Sequence, residues 1–430
     1  MDWRQVLSAS AVLVLAPALA QGQADTTGLG PGDLVRMAIE RNREFLANKQ
    51  RVAEAQGLLR QAGLRPNPTI EIQQSTGRPL GTRGEEEFSS GYFHNFETFG
   101  KRAKRLNVAR KGVDLAEAEV AERIRQLAFE VKARYAEALA EERKLEIIRR
   151  LLDVNRQSYR IVEARVEEGD AAPLERQLVL ADLNRIEAQR AAFSGRAERA
   201  LLELKRTVGI GLPDSLRLRS EPREAPENAA VARLQEQALE SRPDLRIARF
   251  LEEQALAEAE LLGAESRPDL TASVQYSHRS SSFDQLGFNR AGGLTPLRDR
   301  DNVLTFGISV PLFRSKRNQG AVEAALARGA AARLRREHLE AAIRLEVEAA
   351  FRRQAAARQT LEILNRGVLT QSEQNLAVVR EAYSLGQLRV LDVLNEQRRL
   401  IETQLAYVDA ESELFQSVAE LERAAGGTVQ

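Results

Sequence analysis

The chain has no cysteine, three histidines and an aromatic fraction of only 5% across 430 residues. Without cysteine there are no disulfides, no thiolate metal sites and no cysteine nucleophile. His94, His278 and His338 are scattered without the spacing of a metal centre, so neither a bound metal nor another cofactor is expected. Gly100-Lys101 lacks the upstream glycine of a phosphate loop. No coherent catalytic set is visible, which argues against an enzyme. Charge of one sign is also missing: 63 basic and 62 acidic side chains leave a net charge of +1. A nucleic-acid binder would carry a clustered basic surplus. Past residue 20 no run of about 18 apolar residues occurs, so no transmembrane helix is expected. Any passage through a bilayer must then use a closed β-barrel.

What remains is rich in Ala, Leu, Glu and Arg with 29% charged residues, the composition of long charged helices. At the N-terminus, Arg4 precedes an apolar run from Val6 to Leu19, and Ala18-Leu19-Ala20 supplies a small-x-small cleavage site. Residues 1–20 are expected to be a cleaved secretory signal, with Gln21 first in the mature chain. No cysteine follows the site, so N-terminal lipidation is not expected.

The rest reads as a duplication. At an offset of 200, Ile39-Glu40 matches Leu239-Glu240, Gly63 matches Gly263 and Pro68 matches Pro268. After a longer insertion in the second half the offset becomes 217: Gly169 matches Gly386, Leu174 Leu391, Glu175 Asp392 and Gly209 Gly426. The expected units are 21–208 and 229–430, joined by a proline-bearing linker at 209–228. Each reads as helix, two strands, long helix, tight turn, helix. The first helix is expected over 32–63, and one proline-free helix over 101–168, about 100 Å long. Strands are expected at 69–73, 88–96, 270–278 and 303–312, with loops between each pair. Val179, Leu183, Ile186, Phe193, Ala197, Ala200 and Leu204 follow coiled-coil spacing broken at Arg190; the last helix repeats it, broken at Arg398 and Ser412.

Four strands cannot close a barrel, since the smallest bacterial ones have about eight. They form a small water-exposed sheet, or several chains pool them. Phe306, Ile308 and Val310 alternate with Thr305, Gly307 and Ser309, which suits one lipid face and one lumen face. The clusters Lys101-Arg102-Lys104-Arg105 and Arg314-Lys316-Arg317 follow strands at helix starts. Positive charge is unfavourable there, which points to an outside partner such as lipid headgroups.

Over nearly its whole mature length the chain resembles the TolC family of outer-membrane efflux proteins. The resemblance is carried by Ser241-Arg242-Pro243-Asp244-Leu245, by Arg65-Pro66-Asn67-Pro68 and Phe99-Gly100-Lys101-Arg102 around the first strands, and by the turns Gly169…Leu174-Glu175 and Tyr383-x-x-Gly386…Leu391-Asp392. The Pro-Asn-Pro and Phe-Gly-Lys-Arg stretches look most like the CzcC-type branch, which serves divalent heavy-metal efflux. The resemblance implies a mainly α fold with a membrane β-barrel portion. An internally duplicated protomer contributes four strands to a twelve-stranded barrel, set on a long coiled-coil helical barrel in a homotrimer. It also implies a periplasmic adaptor and an inner-membrane pump, of the RND type, as partners. By the same resemblance Asp392 lines the tunnel entrance, Asn395 occupies the position of a second acidic ring, and Glu175 and Tyr383 tie neighbouring helices. The family's basic partner falls on Leu388, leaving Arg389 as its substitute. Arg165, Gly169, Leu385 and Gly386 become adaptor contacts. A duct for drugs, small organics or type I secretion, and a soluble periplasmic coiled-coil adaptor, are the alternatives.

Overall fold

The computed structural model describes residues 28–81, 85–169, 171–219, 230–312, 318–385 and 387–427. Within them helix-helix-strand-strand-helix-helix occurs twice. The first pass is α1 (Pro31–Arg41), α2 (Arg43–Ala62), β1 (Thr69–Thr76), β2 (Glu85–Phe96), α3 (Lys101–Glu167) and α4 (Pro173–Val208). The second is α5 (Val231–Ser241), α6 (Pro243–Glu265), β3 (Leu270–Phe288), β4 (Leu294–Ser309), α7 (Gln319–Ile363), α8 (Thr370–Ser384) and α9 (Val390–Ala424), with a π-helical segment at Leu364–Leu369 between α7 and α8.

The 67 residues of α3 form one uninterrupted helix, about 100 Å long at 1.5 Å per residue. It is the spine against which α1, α2, α4, α6 and α9 pack. On the sheet side of the molecule α2, α3, α6 and α7 lie side by side in that order; on the far side α4 and α9 flank α3, and α7 and α8 flank α9. No helix among the described residues is long and apolar enough to cross a membrane.

The apolar core sits mainly at the waist, where the short helices α1 and α5 lie across the long ones. Leu34, Ala38 and Phe45 pack there with Leu127, Val131, Tyr135 and Leu204. Leu234, Ala238 and Leu245 pack equivalently with Ile343, Val347 and Leu421. The same duplicated positions also carry the backbone junctions. Asn42 caps α2 by accepting the Phe45 N–H (3.0 Å) and donates from Nδ2 to the Thr207 carbonyl (2.8 Å) at the end of α4. Arg242 holds the matching place, donating to the Ala424 carbonyl (3.1 Å) at the end of α9. Each long helix there stops at a left-handed glycine, Gly209 (φ 81°) and Gly426 (φ 83°). A Cβ on Gly209 would come within 2.9 Å of the Arg41 carbonyl, so only glycine fits the approach.

Towards the far end the seam narrows to small clusters, Ile148, Leu152, Ile186 and Ile401, then Val162, Val179 and Val390. Two of the breaks in the coiled-coil spacing are polar links between helices. Arg398 reaches Asp182 at 3.8 Å, and the Ser412 hydroxyl donates to the Ala136 carbonyl at 3.3 Å.

Three expectations need correction. The helix over 32–63 is broken at Asn42, whose backbone is extended (ψ 109°) because its side chain is committed to capping and to α4. The strands of the second hairpin run to Phe288 and start at Leu294, so most of the expected loop is ordered β-ribbon. The long helix expected in the second unit is interrupted by the π segment at Leu364–Leu369. The expected signal at 1–20, Gly386, and Arg314, Lys316 and Arg317 lie outside the described residues.

Candidate functional site

The four strands form one antiparallel sheet in the order β1-β2-β3-β4, leaving β1 and β4 as open edges. The register decides which side chains share a face. Ile70 opposes Tyr92, Tyr92 opposes Val274, and Val274 opposes Phe306. Ile72, Ser90, Tyr276 and Leu304 form the next row, and Ala272 with Ile308 lies on the other side of the first. This face is apolar yet open: Ile70, Ile72, Phe306 and Ile308 are 70%, 68%, 73% and 74% exposed. The opposite face is mostly polar, with Glu71, Gln73, Ser89, Ser273, Gln275, Thr305 and Ser309 around Phe93 and Val303. A sheet that shows water one polar face and leaves the other apolar and uncovered suits a barrel wall between lipid and lumen.

Below the sheet, the first basic cluster has internal partners. Lys101, 7% exposed, donates from Nζ to the Arg267 carbonyl (2.7 Å) and to Asp269 Oδ1 (2.8 Å). Burial pushes the Asp269 carboxyl up, but the bond from Lys101 and the Thr98 N–H outweigh it, leaving it below the usual range. Arg105 donates to the carbonyls of Ala62 (2.9 Å) and Leu64 (3.0 Å) and grips Glu97 at 2.5 Å, while Arg102 takes the Gly63 carbonyl (2.7 Å). Lys104 reaches the Glu260 carbonyl at 3.3 Å. These cations stand at the N-terminus of their own helix, but three of them answer the free carbonyls at or near the C-terminal ends of α2 and α6. Phe99 (φ 54°) and Gly100 (φ 70°) make the turn that aims them there. That internal use was missed in the sequence, because it depends on which helix end lies alongside.

At the far end, the turns between α3 and α4 and between α8 and α9 lie together. The Tyr383 hydroxyl donates to Glu175 Oε2 (3.3 Å) and lies 3.5 Å from Nη1 of Arg165, whose guanidinium also faces the Tyr383 ring at 6.0 Å. Burial, and next the Glu175 carboxylate, push the Tyr383 phenol above its usual value, so it stays protonated and can donate. The structure thus brings together Arg165, Glu175 and Tyr383 from three helices. Arg389 is exposed at the start of α9 and does not join them. Asp392 is exposed there as well; its Oδ2 accepts the Arg389 N–H at 3.0 Å, capping α9. Asn395, one turn on, is exposed, as are Gly169 (φ 85°) and Leu385 (64%) at the tips.

A buried ionic network at the waist was not read from the sequence as a site. Arg242, 3% exposed, pairs with both oxygens of Asp244 (3.0 and 2.6 Å) and with Glu346 (2.7 Å). Arg423 takes the other Glu346 oxygen at 2.7 Å, and Arg125 lies 3.6 Å from Asp244 while pairing with Glu122. The Ser-Arg-Pro-Asp-Leu motif was the signal that contained it. Its role is to lock the start of α6 to α3, α7 and the end of α9. Among the described residues, no group of three His, Asp or Glu side chains is placed to hold a metal ion.

Comparison with known proteins agrees with this geometry. The family model described as outer membrane efflux protein matches residues 34–210 and again 234–427. No curated protein sequence matches the chain significantly. Among solved structures, CusC, reported with its transmembrane channel formation, superposes with a TM-score of 0.74 at 20% identity, covering 92% of each chain. The outer membrane protein VceC of Vibrio cholerae gives 0.71 at 22% identity, covering 93% of this chain and 97% of that one. The outer membrane channel MtrE of Neisseria gonorrhoeae, in its open state, gives 0.69 at 20% identity, with 92% and 89% covered. With the family model spanning both halves of a chain that shares its fold with these channels, the protein belongs to the outer membrane efflux protein family.

Proposed function

We propose that the chain is one protomer of a trimeric, passive outer-membrane duct in a tripartite efflux system, and not an enzyme. The observation that carries this is the sheet: four strands, two open edges, one apolar face and one polar face. In lipid each unpaired edge amide or carbonyl costs several kcal/mol. Three protomers would supply twelve strands and remove every edge at once. The helices then extend as a tunnel into the periplasm, where Arg165, Gly169, Leu385 and Gly386 at the tips meet an adaptor that connects to an RND-type inner-membrane pump. Signal cleavage after residue 20, without lipidation, delivers the chain, and its two efflux repeats flank the linker at 209–228.

At the tunnel entrance, three copies of Asp392 form an acidic ring, the kind of constriction that favours cations. Asn395 makes the second ring polar but uncharged. The Arg165–Tyr383–Glu175 bridge holds the closed arrangement, with Arg389 free to reach a neighbouring protomer. The basic residues beneath the sheet, from Lys101 to Arg105, mark the inner-leaflet boundary, and Arg314, Lys316 and Arg317, which follow β4 in the sequence, are assigned to the same collar. The cargo is divalent heavy-metal cations such as cobalt, zinc and cadmium, supported by the CzcC-like Pro-Asn-Pro and Phe-Gly-Lys-Arg stretches. A tight metal site is unnecessary, since a duct that held its cargo strongly would not conduct.

Two experiments test the reading. Extraction should require detergent and yield a trimer; a water-soluble monomer would sink the duct. A deletion strain should become sensitive to zinc, cobalt and cadmium and recover with the intact gene. Sensitivity to hydrophobic drugs alone would keep the duct and remove the metal cargo.

A further inference from the structure

The two hairpins differ in height, and the taller one carries a feature that the transport reading does not use. β1 ends at Thr76, which is level with Glu86, Ser280 and Arg300. Above that row β3 and β4 continue, through Ser282 opposite Arg298, to Phe288 opposite Leu294. Along this stretch β4 reads Arg298-Asp299-Arg300-Asp301. Because strand side chains alternate, the two arginines share a face with Asn302, Leu304, Phe306 and Ile308, and the two aspartates share the opposite face with Val303 and Thr305. The charges are therefore sorted: cations continue the apolar face and anions continue the polar one.

Height matters as much as direction. On the apolar face the rows climb from Leu270 with Phe96, through Ala272, Val274 and Tyr276, to His278 with Phe88 and Asn302. That is about 27 Å along the strand at 3.4 Å per residue, or about 21 Å of height at a tilt of about 40°, which covers most of a barrel's apolar band of about 25 Å. Asn302 binds the Tyr276 hydroxyl (2.7 Å) and His278 Nδ1 (2.8 Å), so on β4 polarity on this face begins there, although β2 carries Ser90 and His94 lower down. Arg300 is the next residue of β4 on this face, about 7 Å further along the strand, and Arg298 the one after. Both are exposed, and neither has an ion-pair partner among the described residues. Arg279, on the lumen side, is by contrast paired with Glu87 at 3.0 Å. Glu86 is the acidic side chain in the Arg300 row, and it stands two strands away.

We propose that Arg298 and Arg300 form a binding site for the phosphate groups of the outer-leaflet glycolipid, gripping them where the acyl chains reach the apolar rows below. The proposal rests on the duct reading, which puts the apolar face in lipid and the hairpin tip outside. Arginine's planar fork suits phosphate in two-point contact. A pair spaced two residues apart on one strand face offers about 7 Å between forks, which suits one headgroup held from two sides.

The test uses the whole trimer in phosphatidylcholine nanodiscs doped with bisphosphorylated lipid A or with the same lipid stripped of phosphate. Retained lipid is read by native mass spectrometry. The native protein should keep the phosphorylated form at least fivefold better than the stripped one. R298A/R300A should lose that preference, R298K/R300K should keep part of it, and D299N/D301N, on the lumen side, should keep all of it. Equal retention of both lipids by the native trimer, or an unchanged preference in R298A/R300A, overturns the lipid site while leaving the duct intact. A chain that never inserts into lipid as a trimer overturns the duct and the site together.

Discussion

Tyr383 joins three helices through one hydroxyl, so its removal isolates the bridge without emptying the surrounding contacts. Tyr383→Phe deletes the bonds to Glu175 and Arg165, a loss of about 0.5–1.5 kcal/mol for a partly exposed pair. If the bridge holds the tips closed, single-channel records from planar bilayers should show a roughly two- to tenfold rise in the open-to-closed ratio. An unchanged ratio would assign the bridge to packing alone. Arg242 is a different case, because it is itself buried and bonded to two partly buried carboxylates. Arg242→Ala takes from Asp244 and Glu346 the donor they share, leaving Arg125 at 3.6 Å from the one and Arg423 at 2.7 Å from the other, at a cost of up to about 3 kcal/mol. The readout is a lower melting temperature of the purified protein; Arg352→Ala, which breaks only the exposed pair with Glu348, should change little. Acid reports on the same network. Burial acts to raise both carboxyls, but Arg242 and its neighbours hold them below their ordinary values of 3.8 and 4.5. Groups depressed on folding stabilise above the unfolded values, and that stabilisation disappears as pH falls through the folded ones. Thermal midpoints should therefore be flat near neutrality, fall below about pH 4, and lose part of that acid dependence in the Arg242 variant.

At the scale of elements, the duplicated waist gives a paired prediction. Gly209→Ala and Gly426→Ala each force a side chain into a left-handed backbone, and each meets the start of a neighbouring helix, near Arg41 in one half and Arg242 in the other. Both should destabilise the trimer by roughly 1–3 kcal/mol; a normal melting curve for either would remove the equivalence. Element type and order were legible in the sequence because long helices and alternating strands leave strong periods. The missed details all depend on distant partners. Asn42 carries no breaker signal, and its extended backbone follows from the Thr207 carbonyl it reaches. The ribbon above His278 looked like a loop because both its faces meet water, so the apolar alternation that marks a strand fades there. Lys101 and Arg105 were judged against their own helix dipole, whereas the carbonyls they satisfy belong to the ends of neighbouring elements. In the tip, Glu175 and Tyr383 were marked by turn motifs, but Arg165 joins them only through folding.

For the whole molecule, the decisive question is which face of the sheet meets lipid. Phe306→Lys places a charge on the apolar face in mid-band and should cost about 2–4 kcal/mol, seen as failed trimer insertion. Thr305→Lys, one residue away on the polar face, should insert normally and alter conductance instead. The reverse pattern would turn the sheet inside out. The unequal hairpins carry the last consequence. In the proposed duct, with the lower strands in the bilayer and the helices in the periplasm, the chain would show the outside world little beyond the ribbon that turns between Phe288 and Leu294. An antibody or a phage would recognise three separate fingers rather than a continuous rim. Those fingers bear none of the tunnel's packing, so they are the part of the protein with most freedom to change under attack.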